Sequence, residues 1–142
     1  MPSGWYNKGV YDLSTGGLDL DGSTVKAMLL NQSHSFNRDH NFVSDISANE
    51  ISAVGYARQT LVSKAVTEDD TNDAAYWDAA DPVFGPLASG QTIEYLALYR
   101  DTGVDATSPL IACWQLVATA TDGGTFTFTV SASGLTKIWS AT

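Results

Sequence analysis

Cysteine and basic residues are scarce in this sequence. Cys113 is the only cysteine among the 142 residues, so no disulfide can form within the chain. Seven lysines and arginines stand against 16 aspartates and glutamates, which gives a formal net charge of −9 at pH 7. A nucleic-acid-binding surface carries a basic patch or stripe, and no cluster of lysine and arginine occurs here. We therefore predict that the protein has no nucleic-acid partner and that Cys113 is a buried, inert thiol.

Long apolar runs and a secretion signal are also missing. No apolar run approaches the length of a membrane-spanning helix. The opening MPSGWYNKGV lacks the basic and then apolar regions of a signal peptide. We expect no membrane partner and synthesis in the cytoplasm. The length, and the lack of a repeat or linker, favour a single β domain over residues 1–142, with an N-terminal arm over 1–17 and a polar insert over 31–50.

The sequence is poor in groups that could perform catalysis. His34 and His40 are its only histidines, and both lie in the polar insert without a cysteine nearby, so we interpret them as loop residues. The stretch DLDG over 19–22 is similar to the start of a calcium loop, but Met28 stands where an EF-hand has its glutamate. We interpret the acidic stretch over 67–73 as a solvated turn. The prediction is a protein without enzymatic activity, with no catalytic, cofactor-binding or metal-binding residues and no cofactor.

Three consecutive segments predict a β meander. TIEYLALYR (92–100) and LIACWQLVA (110–118) are apolar at both parities, which is typical of strands covered on both faces or of an oligomer contact. In TFTFTVS (125–131), phenylalanine and valine alternate with threonine and serine, so one face should be buried and the other exposed. Asp122-Gly123 predicts a hairpin turn between the second and third strands.

Shorter segments extend this β pattern. TVKAMLL (24–30) predicts a strand with Lys26 opposite its apolar face, and YARQTLVSKAVT (56–67) predicts one long strand or a bulged pair. AAYWDAADPVF (74–84) predicts a returning strand, and GLTKIWS (134–140) an edge strand. WYNKGVYDL is consistent with either a short helix or an extended arm. The predicted fold class is all-β with minor helix, an antiparallel β-sandwich or jelly-roll-like barrel of about seven or eight short strands.

Four tryptophans raise the alternative of a carbohydrate-binding module, because exposed indole rings stack on sugar faces. Trp114 lies in an apolar run, which predicts a core position. Trp77 and Trp139 lie in predicted strands with polar neighbours, so either could be half-exposed. Trp5 could pin down the N-terminal arm or dock into a neighbouring subunit.

Three stretches together cover much of the chain: WYNKGVYDL…GGLDLDGSTVKAMLL, FVSDISANEISAVGYARQTL and ALYRDTGVDATSPLIACW. They resemble a family of small virion proteins of tailed bacteriophages, which has a similar aromatic-Asn-Lys-Gly opening and the same Asp-Ile-Ser-Ala-Asn-Glu run before a Gly-Tyr. The resemblance spans Trp5 to about Val130. It implies a non-enzymatic virion structural protein. Within that family we favour a capsid decoration (cement) protein over a tail, baseplate or fibre-associated protein.

The resemblance also implies partners and a location. We expect the major capsid protein or another virion protein as partner, and a homo-oligomer, with a trimer favoured, on the outer capsid surface of the virion. Synthesis would take place in the cytoplasm of the bacterial host. Long polar loops commonly carry contacts, so the polar insert and the loop over 101–109 are the predicted contact segments. The candidate contact residues are Trp5, His34, Phe36, Arg38, His40, Phe42, Asp101, Thr102, Val104 and Asp105.

Overall fold

The fold is mainly β, as the sequence predicts. The structure is a computed structural model that describes residues 3–131 and 134–140, without the side chains of residues 137, 139 and 140. Its one α-helix is α1 (Asn7–Thr15), and single 3-10 turns span Val43–Asp45, Ser47–Asn49 and Asp105–Thr107. Of the two alternatives for WYNKGVYDL, the structure therefore has the short helix.

Within the described residues, ten short strands form three antiparallel sheets. The strands are β1 (Gly4–Trp5), β2 (Val25–Asn31), β3 (Gln59–Thr60), β4 (Ala65–Asp69), β5 (Ala74–Asp78), β6 (Val83–Phe84), β7 (Thr92–Arg100), β8 (Leu110–Ala120), β9 (Phe126–Thr127) and β10 (Thr136–Ser140). The main sheet has five strands in the order β1-β8-β7-β2-β3. A three-stranded sheet has the order β10-β5-β4, and β6 pairs with β9 in a two-stranded sheet.

The central strands of the main sheet are buried on both faces, as their apolar residues at both parities predict. On the first face, alternate residues of β2 such as Ala27 and Leu29 belong to a core that includes Trp77 of β5. On the second face, Met28 and Leu30 belong to a separate core. The two smaller sheets therefore help to cover the first face. The segment before α1 and the polar insert cover the second face, while Leu13 of α1 packs against the first-face core.

The second-face core is completed by residues from outside the sheet. Tyr6, immediately before α1, and Val43 and Ile46 of the insert are all fully or almost fully buried there. Cys113 of β8 lies in the same core, and its burial raises the pKa of the thiol to about 12. The prediction that Cys113 is buried is confirmed.

The predicted meander is wrong in its third strand. Strand β8 pairs with β7 and β1, whereas residues 126–127 form β9 and pair with β6. The chain leaves β8 through a turn in which Gly123 has φ +92° and the Gly124 N–H donates to Asp122 Oδ1 at 2.9 Å. Leu87 holds this turn, because its carbonyl accepts from Gly123 N at 2.7 Å and its N–H donates to the Gly124 carbonyl at 2.9 Å. The turn therefore directs the chain towards β6 instead of back along β8.

Other expectations have mixed outcomes. The alternation over 125–131 is confirmed, since its phenylalanines and valine are half-buried and its threonines and Ser131 are exposed. The long segment over 56–67 is divided between β3 and β4. Trp77 is 0 % exposed, which excludes the half-exposed alternative: its ring lies in the first-face core, 6.4 Å from the ring of Trp5. The side chain of Trp139 lies outside the described residues.

Helix α1 approaches β8 so closely that one of its residues has to be glycine. A Cβ added to Gly9 would lie 2.5 Å from the Ile111 carbonyl oxygen and 2.8 Å from Ile111 Cα. Both atoms belong to the backbone of β8, so neither can rotate away. The packing of α1 on β8 therefore depends on the missing side chain at residue 9.

We expect Gly9→Ala to lower the free energy of unfolding by about 1–3 kcal/mol, because the methyl group would push α1 away from β8. Alanine in an unconstrained helix position instead gains up to about 1 kcal/mol over glycine. Ser14→Ala, at an exposed position of the same helix, is the control and should be neutral or slightly stabilising. Urea unfolding measures both variants. A Gly9→Ala variant as stable as the parent would contradict the close packing.

Candidate interaction surface

The polar insert and the loop over 101–109 lie side by side. The Val43 N–H donates to the Ser108 carbonyl at 3.0 Å, and the Leu110 N–H donates to the Asn41 carbonyl at 2.9 Å. Between these bonds, Phe42 pairs with Pro109 as an isolated antiparallel bridge. The two predicted contact segments are therefore joined along their backbones.

His34 differs from its prediction as a loop residue available for contacts. It is only 5 % exposed, and its ring packs edge-on against Tyr95 with 4.8 Å between ring centroids. Its Nε2 is buried and has no hydrogen-bond partner among the described residues. Burial, together with His40 at 6.4 Å between ring centroids, lowers the pKa of His34 to about 4. His34 therefore belongs to the underside of the insert, and the prediction of a surface contact residue is wrong.

The outer side of the insert meets the N-terminal segment. Arg38 Nη1 donates to the Trp5 carbonyl at 2.9 Å, and the Asn7 N–H donates to the Arg38 carbonyl at 3.0 Å. The Asn7 side chain also donates to Asp39 Oδ1 at 2.9 Å. Phe36 packs against Tyr6, 5.1 Å between ring centroids. These contacts fix residues 36–39 on the start of α1.

Two cations lie over aromatic rings where these segments meet. The Arg38 guanidinium lies 5.7 Å from the centre of the Phe36 ring. Lys8 Nζ lies 5.2 Å from the Tyr11 ring and 5.8 Å from the Phe42 ring. We name this area the aromatic–cationic surface, and it consists of Lys8, Tyr11, Phe36, Arg38 and Phe42. Three of these five residues were predicted contact residues. Trp5, also predicted, contributes only its carbonyl here, because its ring packs against the first-face core.

The aromatic–cationic surface stands out in a chain with a net charge of −9. Lys8 forms an ion pair with Asp12 at 2.9 Å, but Arg38 takes part in none of the four ion pairs in the described part of the chain. Tyr11 is 62 % exposed, and the Arg38 side chain is exposed as well. Aromatic residues and arginine are enriched in protein–protein interfaces, and they supply most of the strong single contributions to binding.

The carboxylates of the loop over 101–109 are engaged inside the protein. Asp101 forms an ion pair with Lys26 at 2.8 Å, and that hydrogen bond lowers the pKa of Asp101. Thr102 Oγ1 lies 2.6 Å from Thr107 Oγ1 and 3.0 Å from Ser108 Oγ, so the loop is cross-linked by its own hydroxyls. Of the four candidate contact residues in this loop, Asp101 and Asp105 are held in ion pairs. Thr102 and Val104 are exposed to solvent.

Arg58 joins the loop to the end of the insert. Its Nε and Nη2 donate to the two carboxylate oxygens of Glu50, both at 2.7 Å. Its Nη1 donates to Asp105 Oδ1 at 2.7 Å, which lowers the pKa of Asp105. Tyr56 Oη donates to Glu50 Oε1 at 2.6 Å. We call Arg58, Glu50 and Asp105 the arginine clamp, and it positions both predicted contact segments.

One cleft lies beside the β4–β5 hairpin. Its volume is about 660 Å³, and its titratable lining consists of four carboxylates and Tyr76. Within residues 3–131 and 134–140, no group of three or more histidine, cysteine, aspartate or glutamate side chains could hold a metal ion. The described residues also contain no helix long and apolar enough to cross a membrane.

Comparisons with known proteins identify no relative of this chain. No protein-family model matches the sequence, and neither a curated protein nor a solved structure is similar to it. The assignment of a role therefore depends on the residues and their geometry.

The clamp needs arginine and not merely a positive charge. We expect Arg58→Lys to lower the free energy of unfolding by about 1–3 kcal/mol, because an ammonium group cannot form paired hydrogen bonds with two carboxylates. This loss of unfolding free energy is smaller than for a fully buried ion pair, since Asp105 is half-exposed. Arg38→Lys, at an exposed guanidinium, should change stability by no more than about 0.5 kcal/mol. Equal effects in chemical unfolding would argue against the clamp.

Burial of His34 predicts a pH dependence of stability. Between pH 6.5, the ordinary histidine pKa, and about pH 4, the unfolded chain binds a proton at His34 that the folded chain does not. Stability is therefore lost as the pH falls through this window. We expect His34→Phe to remove about 2–3 kcal/mol of the difference in unfolding free energy between pH 7 and pH 4. His40→Asn is the control, because it leaves His34 buried against Tyr95. Identical pH profiles for His34→Phe and the parent would exclude this role.

Proposed function

We propose that the protein is a non-enzymatic structural component of a tailed-bacteriophage virion. Specifically, it is a capsid decoration (cement) protein that binds the outer shell and stabilises it. The observation that carries the proposal is the aromatic–cationic surface, in which exposed Tyr11 and Arg38 lie on a rigid base of α1 and the insert. Aromatic side chains lose little freedom on binding, and the Arg38 guanidinium is already held by the Trp5 carbonyl and the Phe36 ring, which suits a contact between proteins.

The chemistry of the described residues supports a binding protein over an enzyme. The groups with strongly shifted pKa values are used inside the fold. Tyr6 and Cys113 are buried side by side in the second-face core, while Tyr56 and Arg58 surround Glu50. A catalytic site would instead bring such groups together in a cleft where a substrate could reach them.

The virion assignment is supported by where the resembling stretches lie. WYNKGVYDL supplies β1 and α1, FVSDISANEISAVGYARQTL supplies the end of the insert and Arg58, and ALYRDTGVDATSPLIACW supplies the loop over 101–109. These stretches meet at the arginine clamp, and they also supply Lys8, Tyr11 and Phe42 of the aromatic–cationic surface. Phe36 and Arg38 lie between them, so the resembling stretches supply part of the proposed contact region.

The expected partner is the major capsid protein or another virion protein. The unpaired guanidinium of Arg38 favours a partner that offers a carboxylate or backbone carbonyls there. A carbohydrate-binding role is less well supported, because Trp77 is buried in the core and Trp114 is only half-exposed.

The test combines copy number with binding. The protein should be present in hundreds of copies per purified virion, measured against the major capsid protein on gels. Purified protein should also rebind shells that lack it. We expect Arg38→Glu to weaken rebinding by about 30-fold or more.

Lys64→Glu is the matched control, because it makes the same change in net charge away from the surface and should alter rebinding by less than about threefold. Equal losses for the two variants would show that only total charge matters. A few copies per virion would move the protein to the tail, and its absence from the particle would refute the virion role.

A further inference from the structure

A stretch of the polar insert lies over the second-face core without forming a helix or a strand. We name residues 32–41 the covering segment. Apart from bonds to residues that flank it, two backbone hydrogen bonds join this segment to the rest of the described chain. The Asn7 N–H donates to the Arg38 carbonyl at 3.0 Å, and the Leu110 N–H donates to the Asn41 carbonyl at 2.9 Å. Strand β7, in contrast, is paired along its length with both β2 and β8. The covering segment therefore opens at a smaller cost than the main sheet.

The underside of the covering segment buries two imidazole nitrogens that have no hydrogen bond. His34 is 5 % exposed, and neither its Nε2 nor Nδ1 of His40 has a partner among the described residues. The two rings lie 6.4 Å apart between centroids, and the His34 ring packs edge-on against Tyr95. A buried polar atom without a partner has lost its hydrogen bond to water, and closure of the segment leaves two such losses uncompensated. Opening restores both bonds.

Among the described residues, the groups around His34 do not stabilise a positive charge on its ring. Burial raises the pKa of Tyr95, so that side chain stays neutral. Burial, together with His40, lowers the pKa of His34 itself to about 4. Two carboxylates act on these neighbours, and both are engaged. Asp45 interacts with His40 and accepts two backbone N–H groups, while Glu94 interacts with Tyr95 and accepts a side-chain amide. A proton on His34 is therefore accommodated when the ring reaches water.

We propose that the covering segment is the acid-sensitive part of the fold: as the pH falls it opens locally while the main sheet stays folded, and each opening takes the aromatic–cationic surface apart. Phe36 and Arg38 of that surface lie between the two histidines in the sequence. When the segment leaves the core, Phe36 loses the Tyr6 ring and Arg38 loses the Trp5 carbonyl. The opening stands on the buried histidines alone, whereas its effect on shell binding rests on the proposed function.

The direction of the effect follows from where the proton binds. His34 and His40 are the only histidines, so they are the only side chains whose ordinary pKa lies between pH 5 and pH 7. In the open segment His34 has its ordinary pKa of about 6.5, and in the closed segment its pKa is about 4. The ratio of open to closed segments therefore rises about 20-fold as the pH falls from 7 to 5. The fraction of molecules with a complete surface falls accordingly.

Hydrogen exchange of single backbone amides, followed by NMR at pH 7 and pH 5, tests the proposal. The reporter is the Asn7 N–H, which bonds to the Arg38 carbonyl only while the segment is closed. Its protection factor is the exchange rate of an unstructured chain at the same pH divided by the measured rate, so the direct effect of pH on exchange cancels. This factor should fall about 20-fold, whereas the amides of β7 should keep theirs to within about threefold.

Variants of the two histidines identify the group responsible. His34→Phe removes the titrating ring and should reduce the fall to less than about twofold. His34→Gln also lacks a titrating ring and replaces His34→Phe if phenylalanine does not fit beneath the segment. The control, His40→Asn, keeps His34 and should retain a fall of about tenfold or more. Three outcomes would overturn the proposal: constant protection of Asn7, an equal loss of protection in β7, or the same fall in the parent and in the His34 variants.

Rebinding of shells at the same two pH values separates this proposal from the proposed function. A parent that opens in acid but binds no shell at pH 7 would refute the function and support the opening. A parent that binds shells at pH 7, but in which the protection of Asn7 is the same at both pH values, would refute the opening alone.

Discussion

The structure depends on burial of both faces of its central strands. Successive residues of β2 point to opposite faces, and Leu29 and Leu30 are each fully buried, so neither face can be left to water. One cover comes from the smaller sheets, with Trp77 at its centre. The other comes from the chain before β2 and after it, through Tyr6 and the insert. The inner side of the polar insert therefore covers the second-face core, and its outer side is available for binding.

The sequence predicts this double burial well, but it predicts strand neighbours poorly. Side-chain alternation has a period of two, so the apolar residues at both parities of β7 could be read directly, and the bounds of β7 agree with the prediction. The pairing predicted for the third strand of the meander was wrong for a different reason. Strand β1 has only two residues, too few for any periodic signal, yet it pairs with β8, while Leu87 holds the turn at Gly123. Both contacts join residues far apart in sequence.

The candidate surface was predictable only where the signal lies within one segment of the sequence. A polar insert and a long loop indicate contact segments, and the structure places Phe42 against Pro109. The contributions of Lys8 and Tyr11 required knowing that residues 7–15 are helical, because only a helix brings residues three apart onto one side. The arginine clamp links residue 58 to residues 50 and 105, and nothing local marks Arg58 as different from the other basic residues. Burial of His34 depends on Tyr95 in another strand.

The distribution of charge gives the molecule distinct sides. Several acidic residues form ion pairs within the fold, namely Asp12, Asp101, Asp105 and Glu50. Much of the remaining excess lies in residues 68–81, which keeps that region solvated and separates copies. The aromatic–cationic surface lies where the insert meets the start of α1, and Phe36 of this surface packs against the second-face core. The contacts that hold the insert over that core are therefore the same contacts that hold Phe36 and Arg38 in place.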